Sequence, residues 1–262
     1  MKSPSSSPRS TFQRAAVILA VVVQIGATFL PQVGLGEPIG SRSDAIRTLI
    51  TPSGWAFAIW GPLFSGSAVF AIWQALPGQR DNALLDRIAW PAAVALAAQG
   101  VWATYTQFAN LTAISVLIIL TSLIGLLIVL RALTAESRLS AGERWFAGLT
   151  FGALTAWLTA ASIVNVSAAL AYYGVGGNFA YPLAAAIMVC IGGVIAALAV
   201  VRSRGCPWYA LVFVWALTAI YFRGGQEAAS VAIACGFAGV LVILGAMIGL
   251  ANPDNRRHWL GV

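Results

Sequence analysis

Residues 51–64 read Thr-Pro-Ser-Gly-Trp-Ala-Phe-Ala-Ile-Trp-Gly-Pro-Leu-Phe and set two indoles five positions apart, just ahead of a Gly-Pro pair. On an α-helix, at about 100° per residue, Phe57, Trp60 and Phe64 share a face, while Trp55 points about 140° away from Trp60. Gly61, Ser65 and Ala68 make a stripe of small residues that would let a neighbouring backbone approach closely. Pro62 removes one helix hydrogen bond and is expected to bend the segment, which requires protein or water around the freed carbonyl. The chemistry open to this aromatic wall is binding. Flat rings without charges suit a flat, apolar, conjugated ligand, held by offset stacking worth about 0.5–1.5 kcal/mol per ring pair beyond burial.

Other chemistry is scarce. The long apolar segments hold essentially no Asp, Glu, Lys, Arg or His; Arg223 and Glu227 lie near a boundary beside Gly224-Gly225, and the single histidine, His258, sits in the polar C-terminal tail. A charge inside a bilayer is costly and usually functional. Its absence argues against proton relays, acid–base or metal catalysis, and axial histidine ligation of a haem at mid-membrane. No enzymatic activity, metal or resident cofactor is therefore expected. The polar groups left inside are neutral: Gln24, Gln99, Gln107, Thr159, Ser162 and Asn165. Such groups either bond helix to helix, for about 0.6 kcal/mol each, or face a ligand. Cys190, Cys206 and Cys235 lack paired or metal-like spacing and read as small core residues. Of ten tryptophans, Trp90, Trp145, Trp208 and Trp259 fall at segment ends, where indoles anchor to headgroups; Trp55, Trp60, Trp73, Trp102, Trp157 and Trp215 lie deeper.

The elements that must position these residues are membrane helices. The chain is 60% hydrophobic and 9% charged, against roughly 25% charged in soluble domains. Apolar runs of about 20 residues, in place of ten-residue alternating segments, specify an all-α bundle and not a barrel. Eight segments can be placed, at 15–34, 53–76, 88–108, 111–133, 146–172, 179–201, 207–222 and 229–250, the third and fourth joined tightly near Asn110. The first reads as a retained helix, with no cleavage-like site after it. With the N-terminus inside, twelve basic residues (Lys2, Arg9, Arg14, Arg80, Arg87, Arg131, Arg138, Arg144, Arg202, Arg204, Arg256, Arg257) fall on the cytoplasmic side and three (Arg42, Arg47, Arg223) outside. Both termini are thus expected in the cytoplasm. The net charge of +7 is explained by these loops and implies no nucleic-acid partner. Residues 35–52 form the long external loop, either a cover over the aromatic wall or a plain connector. No internal repeat is evident.

Three motifs in order carry a resemblance. The run Pro52, Gly54, Trp55, Phe57, Trp60, Leu63 and Phe64 resembles the second-helix signature of the translocator protein/tryptophan-rich sensory protein (TspO/MBR) family. Residues 97–102 are similar to its third-helix motif, with Gln99 at an Asn position and Trp102 at the Trp, and residues 156–165 to its fifth-helix motif, with Trp157 and Asn165. The two signature tryptophans are five residues apart where short family members have six, and the proline between them is absent. The resemblance covers about residues 15–172, so the chain divides into a tail (1–14), a five-helix core (15–172), a three-helix extension (173–250) and a second tail (251–262), as in longer eight-helix relatives.

The resemblance implies a receptor or sensor in a bacterial inner membrane. Its pocket would take a porphyrin-like tetrapyrrole or a sterol-like molecule, under the first external loop. The residues implied are Trp55, Phe57, Trp60, Gln99, Trp102, Trp157, Ala161 and Asn165. The partners expected are the lipid bilayer, a small apolar ligand and a homodimer mate, for which Gly245 and Gly249 offer a close-packing face. The alternative is a facilitative transporter of a neutral or amphipathic small molecule, hinged at Pro62, Gly192-Gly193 and Gly224-Gly225.

Overall fold

A computed structural model of the chain describes residues 9–175 and 181–262; Lys2, the first eight residues of the N-terminal tail, and the expected start of the sixth span at 179–180 lie outside the described residues. Among them the protein is all helical, with eight long helices in antiparallel succession: α1 (Thr11–Gly26), α3 (Trp60–Ala75), α4 (Ala83–Ala109), α5 (Ala113–Ala135), α6 (Leu149–Tyr172), α7 (Pro182–Arg202), α8 (Pro207–Tyr221) and α10 (Ala229–Ala251). Three short helices complete it: α2 (Ile39–Ala45), α9 (Gly224–Glu227) and α11 (Pro253–Trp259). Six stretches are long and apolar enough to cross a bilayer; α4 and α8 are not among them. Helix α4 is diluted by Asp86, Arg87, Gln99, Tyr105 and Gln107. Helix α8 has 15 residues, and at about 1.5 Å per residue it falls short of a hydrocarbon core of about 30 Å. Its far end continues into the buried Gly224 and Gly225 of α9, so its irregular backbone sits within protein.

Helix α6 forms the centre. Every residue from Thr150 to Ala160 is buried, and the run is dominated by Gly, Ala, Thr and Leu, so neighbours can approach on all sides. A π-helical segment, Glu143–Gly148, leads into it. Helices α1, α3, α4 and α5 lie on one side of it, and α7, α8 and α10 on the other. The α4–α5 hairpin turns on Asn110, which takes a positive φ of 85° with an extended ψ of −177°, a conformation costly for a residue with a side chain, with its Oδ1 accepting from Leu111 N–H.

Several sequence expectations need correction. Pro62 does not bend a running helix. Residues Gly54–Ile59 are a 3-10 turn and α3 starts at Trp60, so Pro62 lies in its first turn, where the missing N–H has no helical partner to lose. Gly61 and Ser65 are exposed, and nothing lies near Gly61; the close approach on this helix occurs at Gly66, where a Cβ would come 2.9 Å from Thr150 Oγ1 of α6. Gly245 and Gly249 face inward: a Cβ at Gly245 would meet Val201 of α7 and one at Gly249 would meet the Gly205 backbone, so they pack the chain on itself. Gly193 packs on Ala238 of α10, and Gly224 on the Leu49 carbonyl, so these glycines serve close contacts. Trp259 is no headgroup anchor. Helix α11 folds back under the bundle, fully burying Trp259 against Gly148, with its Nε1 donating to the Ser203 carbonyl at 2.9 Å. His258 is carried inside with it, at 2% exposure.

Candidate ligand-binding cavity

At the end of the bundle opposite the chain termini the packing opens into two adjoining lobes, each of about 520 Å³ when the space open to the surroundings is counted. Phe57, Trp102, Trp157 and Ala161 border both lobes and form the partition between them. The outer lobe adds Ile39 and Ser43 from α2, Pro52, Asn165 of α6, and Ala216 and Ile220 of α8. The inner lobe adds Gln24 and Thr28 from α1 and its 3-10 extension, Trp60 and Phe64 of α3, and Gln99 of α4.

The local geometry explains the aromatic wall. In a 3-10 turn residues three apart eclipse, so Phe57 in the turn and Trp60, the first residue of α3, fall on one side. Their centroids are 5.2 Å apart, Trp60 and Phe64 are 5.8 Å apart, and Phe57 meets Trp157 edge-to-face at 6.2 Å. Seven of the eight residues singled out from sequence therefore come together: Phe57, Trp60, Gln99, Trp102, Trp157, Ala161 and Asn165. Trp55 does not join them. It is 44% exposed and packs against Trp215 of α8 at 4.9 Å and Phe222 at 6.4 Å, because its turn position points it away from Phe57 and Trp60.

The neutral polar residues mostly cross-link helices, yet leave atoms unused at the cavity. Gln24 Nε2 donates to Gln99 Oε1 at 2.8 Å, and Asn165 Oδ1 accepts from Ser115 Oγ at 3.0 Å. Gln107 Nε2 donates to the Ala27 carbonyl, and Tyr209 donates to Thr159 Oγ1. Among the described residues Gln24 Oε1, Gln99 Nε2, Trp102 Nε1 and Asn165 Nδ2 have no partner, and all four belong to side chains lining the lobes. Gln24 and Asn165 are 1% and 2% exposed, so water does not easily compensate them. A buried polar group without a partner costs about 1–3 kcal/mol. Four such atoms lie around this one cavity.

The 35–52 loop lies over this end as a cover. Glu37 N–H and Arg42 Nη2 both donate to the Gln107 carbonyl, at 3.0 and 3.1 Å. Gly36, at φ +73°, passes so close to Gln107 that a Cβ would come within 3.0 Å of its side chain. On the other side Arg47 pairs with Glu227 and Arg223 with Asp44, tying the loop to the turn after α8. The extension also fixes the opening motif: Trp215 Nε1 donates to the Ala56 carbonyl, Ser53 N–H to the Ala219 carbonyl, and Arg223 Nη1 to the Pro52 carbonyl.

A family model described as TSPO-like protein matches residues 10–248, nearly the whole chain, including the three-helix extension. The chain belongs to this TSPO-like family. Searches of curated proteins and of solved structures return no match. Membership makes it an integral membrane protein of the sensor or transporter type.

Sequence reasoning missed Ala216 and Ile220, because apolar residues in an apolar span carry no signal. It also passed over Gln24 as a wall residue, although a glutamine in mid-span was already conspicuous.

Proposed function

We propose that the protein is a membrane receptor or sensor that holds a flat, mainly apolar ligand carrying polar edge atoms, such as a tetrapyrrole or a sterol-like molecule, in the two-lobed cavity. The observation that carries this reading is the pairing of aromatic walls with unpartnered buried polar atoms: Phe57, Trp60, Trp102 and Trp157 supply faces and edges, while Asn165 Nδ2 and Trp102 Nε1 supply donors. The lining contains no His, Cys or Met, which favours a metal-free ring over a ligated haem. Binding needs no covalent step, and none is assigned. Below the cavity Phe70 and Phe151 close edge-to-face at 4.7 Å, both fully buried, which favours a receptor over an open passage.

In the proposed orientation both termini face the cytoplasm of a bacterial inner membrane, with the cavity near the outer surface. Reporter fusions at Val262 and within the 35–52 loop test this, and a periplasmic C-terminus would invert the assignment. The binding test is a protoporphyrin titration of purified protein in detergent, followed by tryptophan fluorescence, with Trp157→Phe and Trp60→Phe beside the wild type. Saturable quenching weakened by either substitution supports the reading. Non-saturating quenching shared by all three would reject it, and ligand flux into sealed vesicles would then be the measurement for a facilitative transporter.

A further inference from the structure

A second site lies far from the cavity, at the end of the bundle that carries the termini. There α5 and α7 leave a groove of about 1480 Å³, counting the space open to its surroundings. Its walls include Leu127 and Leu130 of α5 and Ile195 and Leu198 of α7, apolar side chains that suit an acyl chain. Its upper rim is different. Arg131 projects from the last turns of α5, and Arg202 is the final residue of α7; both are exposed and both line the groove. Among the described residues neither makes an ion pair or a side-chain hydrogen bond. Neighbouring arginines at this end are occupied: Arg87 pairs with Glu136, Arg204 donates to the Glu136 carbonyl, Arg144 to the His258 and Leu139 carbonyls, and Arg257 pairs with Asp254. The groove itself contains no acid. Thr134 and Ser203 line it too; each hydroxyl donates to its own helix, to the Leu130 and Val200 carbonyls at 2.8 and 3.1 Å, which leaves oxygen lone pairs free to accept.

We propose that this groove is a binding site for an anionic phospholipid. The phosphate sits between Arg131 and Arg202, a headgroup hydroxyl donates to Thr134 or Ser203, and one acyl chain lies along the leucines. Charge complementarity selects this occupant: two unpaired guanidiniums at the bilayer edge, over an apolar furrow, fit a negative headgroup with a tail attached. A zwitterionic lipid would leave a cation beside two arginines. The site is independent of the ligand cavity and stands whether or not that cavity binds tetrapyrroles.

The test is native mass spectrometry of the full chain released from detergent, titrated with phosphatidylglycerol and, separately, with phosphatidylcholine of the same acyl chains. Wild type should retain one phosphatidylglycerol in preference to phosphatidylcholine. The double variant Arg131→Gln/Arg202→Gln should bind it roughly 25-fold more weakly, since each basic residue near an anionic lipid surface contributes about fivefold. Arg80→Gln/Arg138→Gln removes the same charge from exposed arginines outside the groove and should leave retention unchanged. Leu198→Trp keeps both arginines, fills the furrow and should also lower retention. Size-exclusion profiles confirm that each variant is folded. Equal retention of the two lipids, equal loss in both arginine pairs, or displacement by excess inorganic phosphate would each overturn the proposal.

Discussion

The two ends of this bundle use the same residue types to opposite effect. At the loop end Phe57, Trp60, Trp102 and Trp157 surround space, and Trp102 Nε1 has no partner. At the termini end Phe70, Trp73, Phe146 and Phe151 interlock, and Trp259 is fully buried. Trp73 sits over Gly142, Trp259 over Gly148, and Trp259 Nε1 reaches the Ser203 carbonyl. Aromatic density alone thus does not identify a site. What separates the ends is whether glycines provide sockets for the rings.

The largest effect expected from breaking this contrast is on stability. Trp259→Ala should destabilise the protein by about 3–5 kcal/mol, the usual cost of emptying a filled aromatic site, and leave protoporphyrin affinity intact. Thermal unfolding in detergent beside a fluorescence titration measures both. Trp157→Ala should do the reverse: the ring already borders space, so stability changes less, while affinity falls about tenfold, equivalent to about 1.4 kcal/mol. Should the two variants behave alike, the distinction between packed end and open end fails.

Asn165→Leu sharpens the contrast further. It removes the unpartnered Nδ2, and the single Ser115 hydroxyl proton, no longer shared with Asn165 Oδ1, goes wholly to the Thr112 carbonyl at 2.7 Å, so stability should hold or rise by up to about 1 kcal/mol. Binding of ligands with an acceptor at their edge should weaken, whereas purely hydrocarbon ligands should bind as before. Titrating one ligand of each kind would separate these outcomes.

A smaller effect is expected at His258. Burial, reinforced by Arg204 and Arg144, pulls its pKa from 6.5 down to about 4, so the folded state favours the neutral ring. Stability from the docked α11 should therefore be complete above pH 6.5 and be lost progressively as pH falls toward 4. Limited proteolysis of the C-terminus across that window measures it, and His258→Gln should flatten the profile. The smallest change is expected from Asp44→Asn, which breaks a part-exposed ion pair on the loop cover and should cost less than about 1 kcal/mol. Its signature is faster ligand release in stopped-flow fluorescence, with little change in unfolding temperature.

Much of the architecture was legible because apolar length is a strong signal in a chain that must satisfy its backbone inside lipid. The eight expected segments match the eight long helices to within a few residues at most ends, and the tight turn at Asn110 is present. The site was legible in part. Phe57, Trp60, Trp102, Trp157 and Asn165 were conspicuous as large or polar residues in an apolar background, and the structure brings them together. The direction of Trp55 was also readable, since it points away from Trp60 on any helical turn. The role of α8 was not: Ala216 and Ile220 resemble every other apolar residue of the spans, and only their position against Pro52 gives them a place in the wall.

By itself the sequence determined that this chain is a helical membrane bundle, which of its residues are polar in mid-span, and that it offers no charge there. Composition and run length suffice for that, because lipid leaves the backbone few other solutions. Tertiary structure alone decided that Gly245 and Gly249 pack inward, that Trp259 and His258 are buried beneath the bundle, and that the extension clamps the loop cover through Arg47–Glu227 and Arg223–Asp44. Those outcomes depend on which helix faces meet, and in a membrane nearly all faces look equally apolar until packing assigns each its neighbour.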